Sequence, residues 1–538
     1  MRKPSGPPSV AQASALMASL ILLSRILGQA RDTVISVVFG SNLQVDAYRA
    51  AFSVPDLLFF LIAGGALSSA FIPVFSEYIA TGDEEQAWRV YSTLTTFMGL
   101  VVLTFVVCAF IWTEPLVALT APGLPEEGKP LTVAMARILL PAQFGFFLGG
   151  LMFGTMNARN HFLVPGLSPS LYNVGIILGA LALAPLLPLP VFGLAWGALV
   201  GALAGNLVVP LLLMHRFGAR FRACLDLKHP GVLAVFRLML PVVLGLSLPG
   251  VYAIVMRAFA SHFGEGIIND LELGNRLMQA PLGIFGQGFA IAVFPTLSTL
   301  YALSKTDEFL SALGKSLRSV VFITLYLSAA MFVFSEDIVR VLNEYGKFTP
   351  EHTRLTAEGL RFFSIGVFAW CAHPVLMRAY FAIRDTLTPV LLGSVVSALF
   401  FVLCWLLTQP AAGLGFRGLP LATSISAIVL MFGMVAGLRV RLGRVEGKRF
   451  LRLLLVGGGC AVGAAVVAWG VGLAIPDGRG LYNNLASALR VVLGGLAGIW
   501  VYLYLARWLG LEESAYAFRA MAGRRNAKDS GESPDNPE

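Results

Sequence analysis

Apolar residues in this chain come in long unbroken runs instead of the alternating or striped patterns of a soluble fold. A helix needs about 20 such residues to cross the hydrocarbon core of a bilayer. Fourteen segments meet that length: 13–38, 50–79, 90–112, 132–157, 162–185, 191–214, 232–261, 268–301, 317–335, 356–382, 387–408, 418–438, 451–474 and 485–508. Short polar connections separate them. Backbone groups in lipid must be satisfied within the segment, so these runs are predicted to be helices. The fold class is therefore an all-α polytopic membrane protein of about fourteen transmembrane helices. The one long polar stretch, 511–538, has the composition of a disordered cytoplasmic tail.

The runs repeat at a spacing of 222–225 residues. Ala70-Phe71-Ile72-Pro73 lines up with Ala292-Val293-Phe294-Pro295, Arg137 with Arg361, Pro165 with Pro389, and Gly193-Leu194 with Gly418-Leu419. Six helices per repeat, an even number, make two parallel lobes, 1–225 and 226–445. Two further helices occupy 446–510 outside the repeat. Paired lobes of this kind are a transporter architecture, with the substrate site expected between them.

Composition agrees with the pattern: 57% of residues are hydrophobic and only 13% charged, against about 25% charged in soluble domains. That excludes a string of soluble domains. Lys and Arg exceed Asp and Glu by 39 to 30, but the surplus collects in loops on one side, as at 216–228, 305–318 and 439–452. Cytoplasmic loops retain such residues, so the excess fixes topology, with both termini cytoplasmic, and gives no reason to expect nucleic acid. The start, Met1-Arg2-Lys3 before an apolar run, resembles a signal peptide, yet Arg25 cuts the run and an uncleaved first helix is expected. Five scattered cysteines and six dispersed histidines form no metal-ligand spacing. Gly413-Leu414-Gly415-Phe416-Arg417-Gly418 matches G-x-G-x-x-G but follows no strand, so it is no nucleotide loop. No cofactor is indicated.

Charge inside the runs is more telling. An arginine at the bilayer centre costs about 2.5–3.5 kcal/mol on insertion scales and faces protein or water. The first span carries Ser24-Arg25-Ile26-Leu27-Gly28-Gln29-Ala30-Arg31-Asp32. At 100° per residue Arg25 and Asp32 share a face, and a bend at Gly28 would bring Arg31 round as well; snorkelling to the interface is the alternative for Arg31. The repeat partner of Gly28 is Gly250, preceded by Pro249, and matched Gly/Pro interruptions in two halves point to a transporter's binding site and hinges. The eighth span carries Glu272-Leu273-Gly274-Asn275-Arg276. Asp46 and Arg49 lie three apart and can pair, with Asp46 placed where a gate would be or simply exposed in a loop. Planar, permanently charged guanidinium groups select anions and bind phosphate bidentately. The expected ligand is an anion containing phosphate.

These residues resemble the MurJ/MviN family of lipid II flippases, within the polysaccharide-exporter and multidrug superfamily. The resemblance rests on Ser24 to Gly28, Arg31-Asp32, Asp46-Ala47, Pro55, Gly65 to Ser68, Phe71 to Pro73, Ala121 to Gly123, Asn157 to Pro165, Asn173, Arg276, Tyr345 to Phe348 and Arg384 to Pro389. It implies two six-helix lobes, a cationic cavity lined by Arg25, Arg31 and Arg276, and Asp32 and Asp46 pairing with arginines at gates. It further implies a groove on the last two helices for an undecaprenyl tail. The implied activity is alternating-access movement of lipid II from the inner to the outer leaflet of the bacterial plasma membrane. A membrane potential or a cation assists, membrane lipids surround the protein, and a monomer is expected. Many members carry an Arg-Arg pair and a glutamate in helix 2 where this chain reads Phe59-Phe60 and Gly64, so one cavity cation and its partner are absent.

Two other readings stand beside this one. Export of another polyprenyl-linked glycan shares the anionic ligand. A multidrug or cation antiporter would instead want unpaired intramembrane carboxylates. A membrane glycosyl- or phosphotransferase needs catalytic groups on substantial loops, and these loops are too short, so the chain is predicted to be a transporter and not an enzyme.

Overall fold

The computed structural model describes residues 10–514 apart from 63, 160, 216–217, 444–446, 477 and 479–480. The first three residues and most of the polar tail, 515–538, lie outside the described residues. Among those described, the chain is helical with no strand. Ten helices are long and apolar enough to cross a membrane, or eleven when the pair Pro350–Ser364 and Val367–Ala382, bent by 49°, counts as one. Each coincides with a span predicted from hydropathy. The other predicted spans, 13–38, 50–79 and 232–261, are largely helical at their described positions but are not among these eleven, so the helices long and apolar enough to cross number ten or eleven and not fourteen among the described residues.

The repeat reappears in the helices. Pro73 and Pro295 both lie inside helices, Gly64–Ala80 and Gln287–Ala302. Pro165 and Pro389 each occupy the third position of theirs, Leu163–Leu178 and Leu387–Leu407, where a missing N–H removes no helical bond. Arg137 and Arg361 sit in the last turns of Gly128–Leu139 and Pro350–Ser364. Gly413 and Gly415 adopt φ of 66° and 54°, the left-handed region open to glycine, so the G-x-G pattern is turn chemistry.

The chain forms two compact units. The first comprises 1–273, 343–352 and 397–419. It contains α1 (Val10–Phe39), α2 (Leu43–Ala51), α3 (Ser53–Ile62), α4 (Gly64–Ala80), α5 (Pro230–Ala260) and the first half of α6 (Ile267–Pro281). Its core is aromatic: Phe71, Phe75, Trp88 and Tyr91 are buried with successive ring centroids 5.0 to 5.6 Å apart. α1 packs on Leu163–Leu178, and α5 on α3 and α4. Small residues set close approaches: a Cβ on Gly175 would come within 2.5 Å of the Gly201 Cα, which is how Gly201 serves helix packing.

The second unit comprises 274–342, 353–396 and 420–538. Here Thr306–Val333 packs against Val367–Ala382 and Gly458–Leu473, and the latter against Gly495–Trp508. The Tyr502 hydroxyl donates to the Phe322 carbonyl at 2.8 Å, and a buried ion pair joins Arg318 Nε to Glu513 at 2.7 Å. These bonds fasten the C-terminal helices to Thr306–Val333. Of the run Gly457-Gly458-Gly459, only Gly457 is packed, a Cβ there meeting Leu453 Cδ1 at 3.1 Å, while Gly458 and Gly459 have open space.

Asp385 caps Leu387–Leu407. Its Oδ1 accepts from Thr388 N at 3.1 Å, and Arg441 Nη1 stands 3.0 Å from its Oδ2. Burial alone would raise this carboxyl, but the Thr388 hydrogen bonds and the Arg441 guanidinium outweigh it and hold the group below the usual carboxylate range. A depressed folded value stabilises above the unfolded value of about 3.9 and loses that effect as pH falls through the folded one. Asp385→Asn keeps the cap but loses the charge facing the half-exposed Arg441, and should therefore lower thermal stability in detergent at pH 7 by up to about 1 kcal/mol. The gap should close as pH falls below about 4, and a pH-independent gap would contradict the account.

Candidate functional site

The charged residues within the apolar helices of the first unit are joined. Asp32, fully buried on α1, accepts from Arg31 Nη2 at 3.1 Å and from Arg49 Nη2 of α2 at 3.2 Å. Arg49 Nε also lies 3.6 Å from Glu272 of α6. Glu272 takes Arg257 Nε of α5 at 2.6 Å, and Arg257 Nη1 reaches Asp56 of α3 at 2.8 Å. Positive and negative groups thus alternate along one path: Arg31, Asp32, Arg49, Glu272, Arg257, Asp56. Asn173 Oδ1 accepts from Arg31 Nη1 at 3.0 Å. Three guanidinium groups and three carboxylates balance, so the row is electrically neutral. Removing Asp32 or Arg49 would strand its neighbours' charge in a desolvated place, which costs several kcal/mol.

A second cluster lies at the end of the unit holding the turn 40–42 and the connection 261–266. Asp46 gives both oxygens to backbone donors opening α6: Gly266 N at 2.6 Å and Asn269 N at 2.9 Å. A carboxylate at a helix start satisfies orphan N–H groups and meets the positive end of the helix dipole. Asn269 Nδ2 donates to Ser41 Oγ at 3.1 Å, and Ser41 Oγ donates to Gly266 O at 2.9 Å. Arg49 Nε donates to Asn269 Oδ1 at 3.1 Å, tying this latch to the charged row. His352 Nδ1 lies 2.8 Å from Asp270, and Lys347 N donates to Val37 O at 3.0 Å.

The expected site residues divide accordingly. Arg31, Asp32 and Asp46 are buried in these two networks. Arg25 shares a helical face with Asp32 but is exposed and makes no ion pair among the described residues. Arg276 lies one turn beyond Glu272 on α6 and is half-buried. The expected Asp46–Arg49 pair is not formed: Asp46 is taken by the start of α6 and Arg49 by Asp32. α1 runs without a break through Gly28, where a Cβ would meet Asn173 Nδ2 at 3.7 Å. Gly28 is thus a point of helix contact, and no break marks a hinge there. α5 is likewise continuous through Pro249 and Gly250, whose side chains lie outside the described residues. Five helices converging their charges in one apolar unit suit a transporter for a charged solute.

The sequence model for "Lipid II flippase MurJ" matches residues 35–477. The chain belongs to the lipid II flippase MurJ family. A probable lipid II flippase MurJ of Bdellovibrio bacteriovorus is 30% identical over 520 residues, 94% of this chain and 95% of that protein. The lipid II flippase MurJ of Burkholderia cenocepacia is 29% identical, covering 84% and 87%. Among solved structures, a lipid II flippase MurJ in an inward closed conformation aligns with TM-score 0.73 at 22% identity over 92% of this chain and 98% of that one. An inward-facing multidrug resistance MATE transporter aligns with TM-score 0.64 at 15% identity, over 81% and 99%. The chain is accordingly a multi-pass membrane transporter with a MurJ-like fold, and not an enzyme.

Helix 2 is where this MurJ-family chain departs from the resemblance. Phe59 packs among Phe60, Phe146 and Phe147, with centroids 5.7 to 6.4 Å away, so those positions supply apolar surface and no charge. Arg49, Glu272, Arg257 and Asp56 are the members of the row that sequence reasoning did not assign as site residues. The signal for Arg257 was present: it interrupts the apolar run 251–260, as Arg25 interrupts the first span. The latch yields a direct test. Asp46→Asn replaces one acceptor by a donor facing an N–H, so amides at 266–269 should exchange hydrogen roughly fivefold faster, equivalent to about 1 kcal/mol for one buried donor left unsatisfied. Unchanged exchange would contradict the assignment.

Proposed function

We propose that this chain carries lipid II from the inner to the outer leaflet of the bacterial plasma membrane by alternating access, as a monomer with both termini cytoplasmic. The observation that carries the reading is the set of arginines held within the apolar helices of a MurJ-family chain. A guanidinium keeps its charge at any physiological pH and grips phosphate oxygens in pairs, which suits the pyrophosphate of an undecaprenyl-linked muropeptide. Arg25, Arg31 and Arg276 are the substrate-binding residues in this reading. Asp32 competes with phosphate for Arg31, and Asp46 latches the start of α6 until the outer end opens. No cofactor enters the cycle; the membrane potential or a coupled cation drives it.

The second unit offers a place for the lipid tail. A cavity of about 690 Å³ is lined by Phe332, Phe368, Val462 and Trp469, with Arg361 at its edge. Its surface is apolar and its volume within the range of ligand pockets. Cation export as in the multidrug relatives fits less well, because Asp32, Glu272 and Asp56 each already hold an arginine.

The test is a leaflet-resolved assay of lipid II in a bacterium depleted of its own flippase. Expression of this chain should restore the outer-leaflet pool, and a persistent inner-leaflet excess would overturn the reading. Arg25→Ala breaks no ion pair, so it should leave thermal stability unchanged while cutting translocation at least about tenfold, the worth of one charge-assisted contact. Full activity of that variant would remove Arg25 from the site.

A further inference from the structure

Arg257 has no place in the function so far described, yet its guanidinium is held by two carboxylates of the row. Its Nε and Nη1 each hold a different carboxylate, Glu272 and Asp56, and Nη1 also lies 3.4 Å from Ser53 Oγ. Accessibility changes along the row. Asp32 is 0% exposed and Arg49 6%, but Glu272 is 20%, Arg257 12% and Asp56 34%. Arg31 is 9% exposed, so the end arginines differ little; it is the carboxylates that open along the row, from Asp32 to Asp56. At the Arg257 end the carboxylates can therefore turn outward into water and leave a guanidinium vacant without stranding charge in a dry interior. The planar fork of Arg257 would then present two parallel donors, the geometry that matches a phosphate group.

We propose that Arg257 is a phosphate-binding residue of this transporter, occupied at rest by Asp56 and Glu272 and surrendered by them to the diphosphate of the lipid-linked substrate. The inference rests on the lipid II reading above. It also places a cation on α5 in a chain whose α3 presents Phe59 and Phe60. Asp56 and Glu272 are then competitors of the ligand as well as partners of the arginine, which a purely structural ion pair would not be.

The experiment measures binding of undecaprenyl pyrophosphate to the full chain in detergent, alongside lipid II translocation. Arg257→Ala should weaken binding at least tenfold, and Arg257→Lys, which keeps charge but loses the fork, by a smaller factor. Asp56→Asn, nearly the same shape and able still to accept from Arg257, should bind about threefold or more tightly because a competing charge is gone. It also reads the proposal independently should Arg257→Ala fail to fold. Wild-type affinity in Arg257→Ala, or weaker binding by Asp56→Asn, overturns the role of Arg257 while leaving translocation by the wild type intact. Absence of binding and of translocation in the wild type overturns the lipid II reading itself, and the inference with it.

Discussion

The row of alternating charges from Arg31 to Asp56 is the constraint on which the first unit turns. Charged groups are expensive in apolar surroundings, and each of these is tolerable only while its neighbour stays within reach. Five helices contribute: α1 gives Arg31 and Asp32, α2 Arg49, α3 Asp56, α5 Arg257 and α6 Glu272. Aromatic packing of the kind seen around Phe71 and Phe75 supplies cohesion without much direction. The charged row supplies direction, because each pair is short, oriented and answered on both sides. Displacing one of these helices by a turn would leave a guanidinium or a carboxylate unanswered in a desolvated place.

The same arrangement shapes how a transporter could work. Three guanidinium groups balanced by three carboxylates make a row that is neutral, so in the proposed reading an anion binds this row by exchange of partners. Arg49 connects this row to the start of α6 through Asn269, where Asp46, Ser41 and the Gly266 backbone form the latch. The charged row and the latch therefore share one residue, Arg49.

Much of this was legible in the sequence, and the parts that were not have a common reason. Hydropathy located the helices because a bilayer demands long apolar runs, and the matched prolines at 73 and 295 and at 165 and 389 revealed the repeat. Arg31 and Asp32 were recognisable as costly residues. Their partners were not, since ion pairing across helices depends on which faces meet. Asp46 and Arg49, three apart on one short helix, suggested a local pair, but each found a better partner on another helix. Gly28 suggested a bend; the helix is continuous there, and a Cβ would stand in ordinary contact with Asn173 at 3.7 Å. Arg257 was overlooked because it lies near the end of its span, where arginines usually reach water.

The most direct test of the charged row is a double-mutant cycle on Arg257 and Glu272, using Arg257→Gln, Glu272→Gln and the double variant, with thermal stability in detergent as the readout. Residues in direct ionic contact couple by about 0.5–3 kcal/mol. The account predicts coupling in the upper part of that range without ligand, falling to less than half with saturating undecaprenyl pyrophosphate as the arginine changes partner. Additive effects without ligand, or coupling that the ligand leaves untouched, would contradict it.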